Sequence, residues 1–220
     1  DAVEYVVEVS DPMKIELRTQ RLDIISAAQA EDPAVRIQYA SKHASIANAW
    51  KKWQGEVLGL RRLGTADKKR AYEKRFAEWA AAKPEYAGLL DSIRTAYAAA
   101  KPEYYVYELY SESVGAIEAV RFASQLTARR SRMKEGEDFA SAAREMRGSF
   151  MKDYSPKIDR AIARRMLAEF LDRMPADRVP AELAAAVAEC GGADAYVDRL
   201  YDGTMLFGDA FDPAAIDDDP

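Results

Sequence analysis

Two hundred and twenty residues, 49% of them hydrophobic, are enough to bury a core and exclude a disordered chain. Thirty-seven acidic against 32 basic residues give a net charge of −5, so no global positive field recruits nucleic acid or anionic lipid. Apolar runs such as Ala161–Leu171 are short and broken by charge, below the ~18 residues of a membrane span, and the single cysteine, Cys190, excludes an internal disulfide.

The chain opens at Asp1 without a charged-then-apolar leader, and the expectation is a piece of a longer protein. Residues Val3–Val9 are β-prone, and 1–11 reads as a stub from a neighbouring domain. Asp11-Pro12, Asp32-Pro33 and Ser155-Pro156 each set a capping side chain before a proline at the first helical position, which predicts three helix starts. With these and similar signals, the pattern predicts helices over about 12–30, 33–62, 66–82, 85–100, 103–128, 137–152, 156–173, 180–190 and 193–201. The fold class is therefore all-α, with a helical domain over 12–202.

Two stripes at three- and four-residue spacing, Tyr72-Phe76-Trp79 and Ile158-Ile162-Met166-Phe170, read as core. Ala-Lys-Pro-Glu-Tyr occurs at Ala82–Tyr86 and again at Ala100–Tyr104, and each copy is expected to end one helix and begin the next. Basic runs at Arg61–Arg75 and Arg129–Lys134 read as solvated faces and a loop. Gly203–Pro220 lacks an amphipathic period and reads as a return stub, its acidic stretch Asp209–Asp219 as a solvated terminus.

A hydrolytic centre is not legible. His43 is the one histidine, and it lies on a helical stripe with Tyr39, Ile46, Trp50 and Trp53, where a packed structural role is expected. Gly148-Ser149 is followed by Phe150, so no Gly-flanked nucleophile elbow forms there. Cys190 falls at a predicted helix C-terminus, where the helix dipole disfavours a thiolate. One His and one Cys do not build a nitrogen–sulfur zinc site, and no phosphate-cradling glycine loop is present, so no metal or cofactor is called for.

Asp32–Leu63 carries two faces of different character. Tyr39, His43, Ile46, Trp50, Trp53 and Val57 form the apolar one. Asn48 lies about 180° around the helix from Tyr39 and Val57, beside Ser41, Ala44, Ser45 and Gly55. It is the only asparagine in the chain and sits mid-helix, where its amide competes with backbone hydrogen bonds. An inert exposed residue and a ligand-facing one are both compatible with that spacing.

Ile37-Gln38-Tyr39-Ala40-Ser41-Lys42-His43-Ala44-Ser45, with Asn48-Ala49-Trp50-Lys51-Lys52-Trp53 and Gly55, resembles the signature helix of bacterial dipeptidyl peptidases 7 and 11. Phe150–Pro156, Asp159, Met166-Leu167 and Tyr196–Leu200 resemble further stretches of that family, so the likeness runs from about Pro12 to Phe211. His43 and Ala49 depart from it, since an aromatic residue is more usual at both. The resemblance implies a helical domain inserted in a chymotrypsin-like double β-barrel that carries a serine triad. It implies that this domain caps the cleft and binds the free α-amine of the peptide substrate, with Asn48 as the amine-binding residue, so that dipeptides are released. It also implies secretion to the periplasm or cell surface of a Gram-negative bacterium, and a possible homodimer. The rival reading is a non-catalytic helical adaptor whose groove accepts a partner helix or peptide.

Overall fold

The computed structural model describes residues 2–219, apart from the side chains of Asp217 and Asp218. Among them every regular element is helical, in line with the all-α expectation. Eleven α-helices run in order as α1 (Ala2–Tyr5), α2 (Asp11–Glu31), α3 (Pro33–Gln38), α4 (Ala40–Arg62), α5 (Thr65–Ala80), α6 (Leu89–Glu112), α7 (Glu118–Ser131), α8 (Phe139–Met151), α9 (Pro156–Arg173), α10 (Ala181–Glu189) and α11 (Ala193–Gly203). None is long and apolar enough to cross a membrane.

Local chemistry sets several of these boundaries. Asp32 accepts from the Ala34 amide at 2.7 Å and Ser155 from the Ile158 amide at 3.5 Å, so both predicted Pro-led starts are capped helix N-termini. Gly64, at φ 58°, takes the left-handed conformation that turns α4 into α5.

The start expected at Asp11-Pro12 coincides with that of α2, which has Pro12 in its first turn, but no side chain caps it, because the chain before it is already helical. Val6–Ser10 forms a π-helical turn that joins α1 to α2, with the Asp11 amide reaching Val6 O five residues back. The β-prone run Val3–Val9 is therefore helical. Its buried Tyr5 and Val7 pack inward, and Glu108 of α6 accepts from Tyr5 Oη at 3.0 Å and Ser10 Oγ at 2.8 Å. Tertiary burial overrides strand propensity here.

The two Ala-Lys-Pro-Glu-Tyr copies behave differently. The first separates α5 from α6, whereas Pro102 of the second lies inside an unbroken α6. The half of α6 beyond Pro102 is clamped to α2: Arg18 grips Glu112 with two bonds at 2.9 and 2.8 Å, and Arg21 adds a third at 2.9 Å. That clamp and the burial of Leu109 hold the helix through the missing amide.

The main core lies between α2, α6 and α9, with Leu17, Ile25, Leu109 and Met166 at its centre. The Ile158-Ile162-Met166-Phe170 stripe is buried as expected. Tyr72 and Trp79 are not core: they are 64% and 51% exposed, because α5 and the first half of α6 stand away from the main core. Trp79 packs only locally, 5.7 Å from Phe76 and 5.1 Å from Tyr86 between ring centres.

A second, smaller core joins α7 and α8 to the C-terminal segment through Phe122, Leu126, Ala143 and Leu206. The acidic stretch expected to be a solvated terminus is held in place. Arg147 donates to Leu206 O and Gly208 O, each at 2.7 Å, and Asp219 accepts from Thr204 Oγ1 at 2.7 Å and the Met205 amide at 2.6 Å.

Helix α7 is preceded by Ile117, a residue with no capping side-chain oxygen, and its cap arrives from another helix. Asp159 of α9, fully buried, accepts from the amides of Glu118 at 2.9 Å and Ala119 at 2.8 Å. The same carboxylate accepts from Tyr154 Oη at 3.0 Å and Tyr201 Oη at 2.7 Å. Burial raises its pKa above the ordinary value, and the four donors oppose that rise. Replacing Asp159 by Ala leaves these donors without an acceptor. The expected cost is roughly 3 kcal/mol or more, or a fall in Tm of about 6–12 °C for a chain of this size. Tyr201→Phe, which removes one donor, is expected to cost only about 1 kcal/mol. Thermal and urea unfolding followed by circular dichroism check both values, and equal losses for the two variants contradict this account.

Candidate functional site

Helix α4 is anchored along one side. Tyr39, at its N-terminus, is fully buried, and Trp50 Nε1 donates to Thr19 Oγ1 of α2 at 2.9 Å. The Trp53 ring carries two α2 cations over its face, Lys14 Nζ at 4.7 Å and the Arg18 guanidinium carbon at 4.5 Å. The predicted apolar stripe thus packs on α2, with the tryptophans half-buried rather than deeply enclosed.

The N-terminal turns of α4 are tied to α7 and to the loop before α9. Lys42 pairs with Glu118 and with the Asp153 carbonyl. Tyr39 Oη accepts from the Ser155 amide at 3.1 Å, and Gln38 Nε2 donates to Tyr154 O at 3.2 Å. Burial pushes the Glu118 carboxyl up, and the Lys42 ammonium pulls against it. Glu118 and Asp159 occupy the same corner, so motif residues Tyr39, Lys42, Tyr154, Ser155 and Asp159 meet in one polar cluster. Sequence reasoning missed this cluster. Its one signal was a charged residue, Asp159, between Ile158 and Ile162 on an otherwise apolar face.

The opposite face of α4 is left open. Ser41, Ala44, Ser45, Asn48, Lys52 and Gly55 are all exposed, as their angular positions predict. The Asn48 side chain forms no hydrogen bond to any described residue, so its amide oxygen and both N–H donors are available to a ligand. Small neighbours on the same face allow close approach of another chain, and nothing is within 4 Å of a side-chain carbon built at Gly55.

His43 is half-buried, and its Nε2 lies 3.2 Å from Ser26 Oγ of α2. The pair has the atoms of a nucleophile and a base but not their setting. Ser26 is mid-helix, where neighbouring amides are spent on helical hydrogen bonds and offer no oxyanion hole. The contact reads as a tie between α2 and α4. Cys190 caps the end of α10, at the helix terminus expected for it. Among the described residues, no group of His, Cys, Asp and Glu is arranged to hold a metal ion.

An all-helical domain that locks one face of a long helix and opens a small, polar one is a class shared by many proteins; its relatives narrow it. The chain belongs to the peptidase S46 family, whose sequence model matches residues 1–218. It is 34% identical over 182 residues to dipeptidyl-peptidase 7 of Porphyromonas gingivalis, covering 81% of this chain and 25% of that protein. It is 28% identical over 191 residues to the Asp/Glu-specific dipeptidyl-peptidase of Flavobacterium psychrophilum, covering 83% and 27%. In fold it is similar to DPP11 of Porphyromonas endodontalis, solved in complex with the dipeptide Arg-Glu. There the TM-score is 0.80 at 24% identity, over 99% of this chain and 34% of the other. The chain therefore spans about a quarter to a third of the length of these relatives.

The polar cluster makes a pH-dependent prediction. Lys42→Met leaves Glu118 half-buried without its cation and raises its folded-state pKa further. A carboxyl whose pKa is higher folded than unfolded loses stability as pH rises through that interval, because the folded state must then give up a proton it holds. The variant is expected to lose roughly 1–3 kcal/mol at pH 8 and less at pH 5. Urea unfolding at the two pH values checks this, and a loss independent of pH contradicts it.

Proposed function

We propose that this chain is the helical lid of a serine-type dipeptidyl aminopeptidase, with residues 12–202 forming the lid and 1–11 and 203–220 linking it to a catalytic double β-barrel. The lid caps the cleft and receives the free amino terminus of a peptide, so that the barrel releases a dipeptide. The observation that carries this reading is Asn48: exposed, unpartnered and ringed by small residues on the helix whose other side is fixed to the core. Family membership supports the peptidase assignment over a non-catalytic adaptor. The dipeptide held by the similar DPP11 structure supports a peptide ligand for this architecture. Secretion to the periplasm or cell surface belongs to the same proposal.

The chemistry at Asn48 is simple. Its Oδ1 accepts one N–H of the substrate ammonium, a charge-assisted bond, and a neutral acceptor adds no second charge to be desolvated. The two α4 faces divide the labour. Trp50, Trp53, Tyr39 and Lys42 fix the helix, and a fixed helix holds Asn48 at a set distance from a cleft on the other domain.

In the whole protein, Asn48→Ala is expected to lower kcat/KM on dipeptidyl substrates roughly 10- to 100-fold, the value of a hydrogen bond to a charged group of about 1.5–3 kcal/mol. Thermal stability is expected to stay unchanged, because the side chain is exposed. Since the bond reads the free amine, preference for free over N-acetylated substrates is expected to fall as well. Steady-state kinetics on paired free and acetylated substrates check this, and wild-type rates with wild-type preference refute the assignment.

A further inference from the structure

The open face of α4 is electrically one-sided. Within about 60° of Asn48 around the helix, the charged residues are Lys51, Lys52 and Arg62, and every other residue is neutral. They stand in a chain whose net charge is −5. All three are exposed, and none forms an ion pair or hydrogen bond with a described residue. Glu56, the one acidic residue of α4, lies about 80° around the helix from Asn48 and two turns beyond it, on the flank where its charge acts on Asp11 of α2.

A face that receives an ammonium thus carries only cations. Two lysine ammoniums one turn from a bound α-ammonium repel it, and Asn48, a neutral acceptor, leaves that repulsion uncompensated. The substrate itself can supply the missing charge. An acidic side chain on the N-terminal residue holds its carboxylate within about 5 Å of its own amine and brings that residue to net zero. Lys51 and Lys52 stand about 4.5 and 6 Å along the helix axis from Asn48, about 60° to one side of it and 40° to the other. Whichever side the substrate's first side chain takes, a lysine on a flexible four-carbon stem reaches it. Arg62, about 21 Å along the axis, is out of range of that residue and leaves the pairing to the two lysines.

We infer that Lys51 and Lys52 form a subsite for the side chain of the substrate's first residue, selecting glutamate or aspartate there over neutral and basic residues. The inference rests on the Asn48 reading, which sets the amine in front of this face.

Steady-state kinetics of the whole protein test it, on three dipeptidyl substrates that share the second residue and leaving group and begin with Glu, Gln or Lys. Gln matches Glu in shape, so their ratio reads charge alone. The expected order of kcat/KM is Glu over Gln over Lys, by roughly 3- to 5-fold at each step at low salt, the value of one partly exposed ion pair. Both steps are expected to shrink at high salt, which screens such charges. Lys51→Met with Lys52→Met is expected to abolish the order, and Lys51→Glu with Lys52→Glu to reverse it. Both positions are exposed, so the helical circular-dichroism spectrum is expected to stay unchanged. Asn48→Ala, by contrast, is expected to lower all three rates and keep their order. Equal wild-type rates on the three substrates, or an order that both double variants keep, overturn the subsite and leave the amine assignment standing. Wild-type rates in Asn48→Ala, or no cleavage of any of the three, overturn the amine assignment and the subsite with it.

Discussion

One buried carboxylate ties four parts of the molecule together. Asp159 projects from α9 into the start of α7, where two helix amides lack acceptors, and takes hydroxyl bonds from the loop residue Tyr154 and from Tyr201 of α11. An unpaired carboxylate at that depth is strongly disfavoured, so the site forms only when all four donors converge. That constraint fixes the register of α7 against α9, which in turn sets Glu118 where Lys42 of α4 reaches it. The orientation of α4 is thus decided at its N-terminal end by charge and along its length by two tryptophans on α2.

This arrangement explains how a family motif serves two purposes on one helix. Tyr39 and Lys42 point into the cluster, Trp50 and Trp53 pack on α2, and Asn48 is left facing outward between them in sequence. Substitutions on the packed side act through stability, whereas substitutions on the open side leave the fold alone. The division follows from the helical period, which sends residues nine apart to opposite faces.

Much of this was legible in the sequence, and the misses share a cause. The helix starts at Asp32-Pro33 and Ser155-Pro156 were readable because their caps are local. The two-faced character of α4 was readable because its period is local too. What failed was whatever depended on distant partners. Val3–Val9 looked like strand until Glu108, about a hundred residues away, gave Tyr5 and Ser10 an acceptor. Pro102 looked like a break until Glu112 was seen gripping two arginines of α2. The stripe on α5 was real as a stripe, but periodicity does not say whether a face meets this chain's own core or stays exposed. Asp159 belongs to a family motif whose spacing says nothing of its role, because a cap supplied from another helix leaves no local pattern to read.

The central claim is that the open face of α4 receives the amino terminus of the substrate. The most direct measurement is a crystal structure of the whole protein with a dipeptide bound. The account predicts the Asn48 Oδ1 atom within hydrogen-bond distance, about 2.7–3.2 Å, of the dipeptide's α-amino nitrogen. A dipeptide bound with its amino group held by other residues, and Asn48 facing solvent, contradicts it.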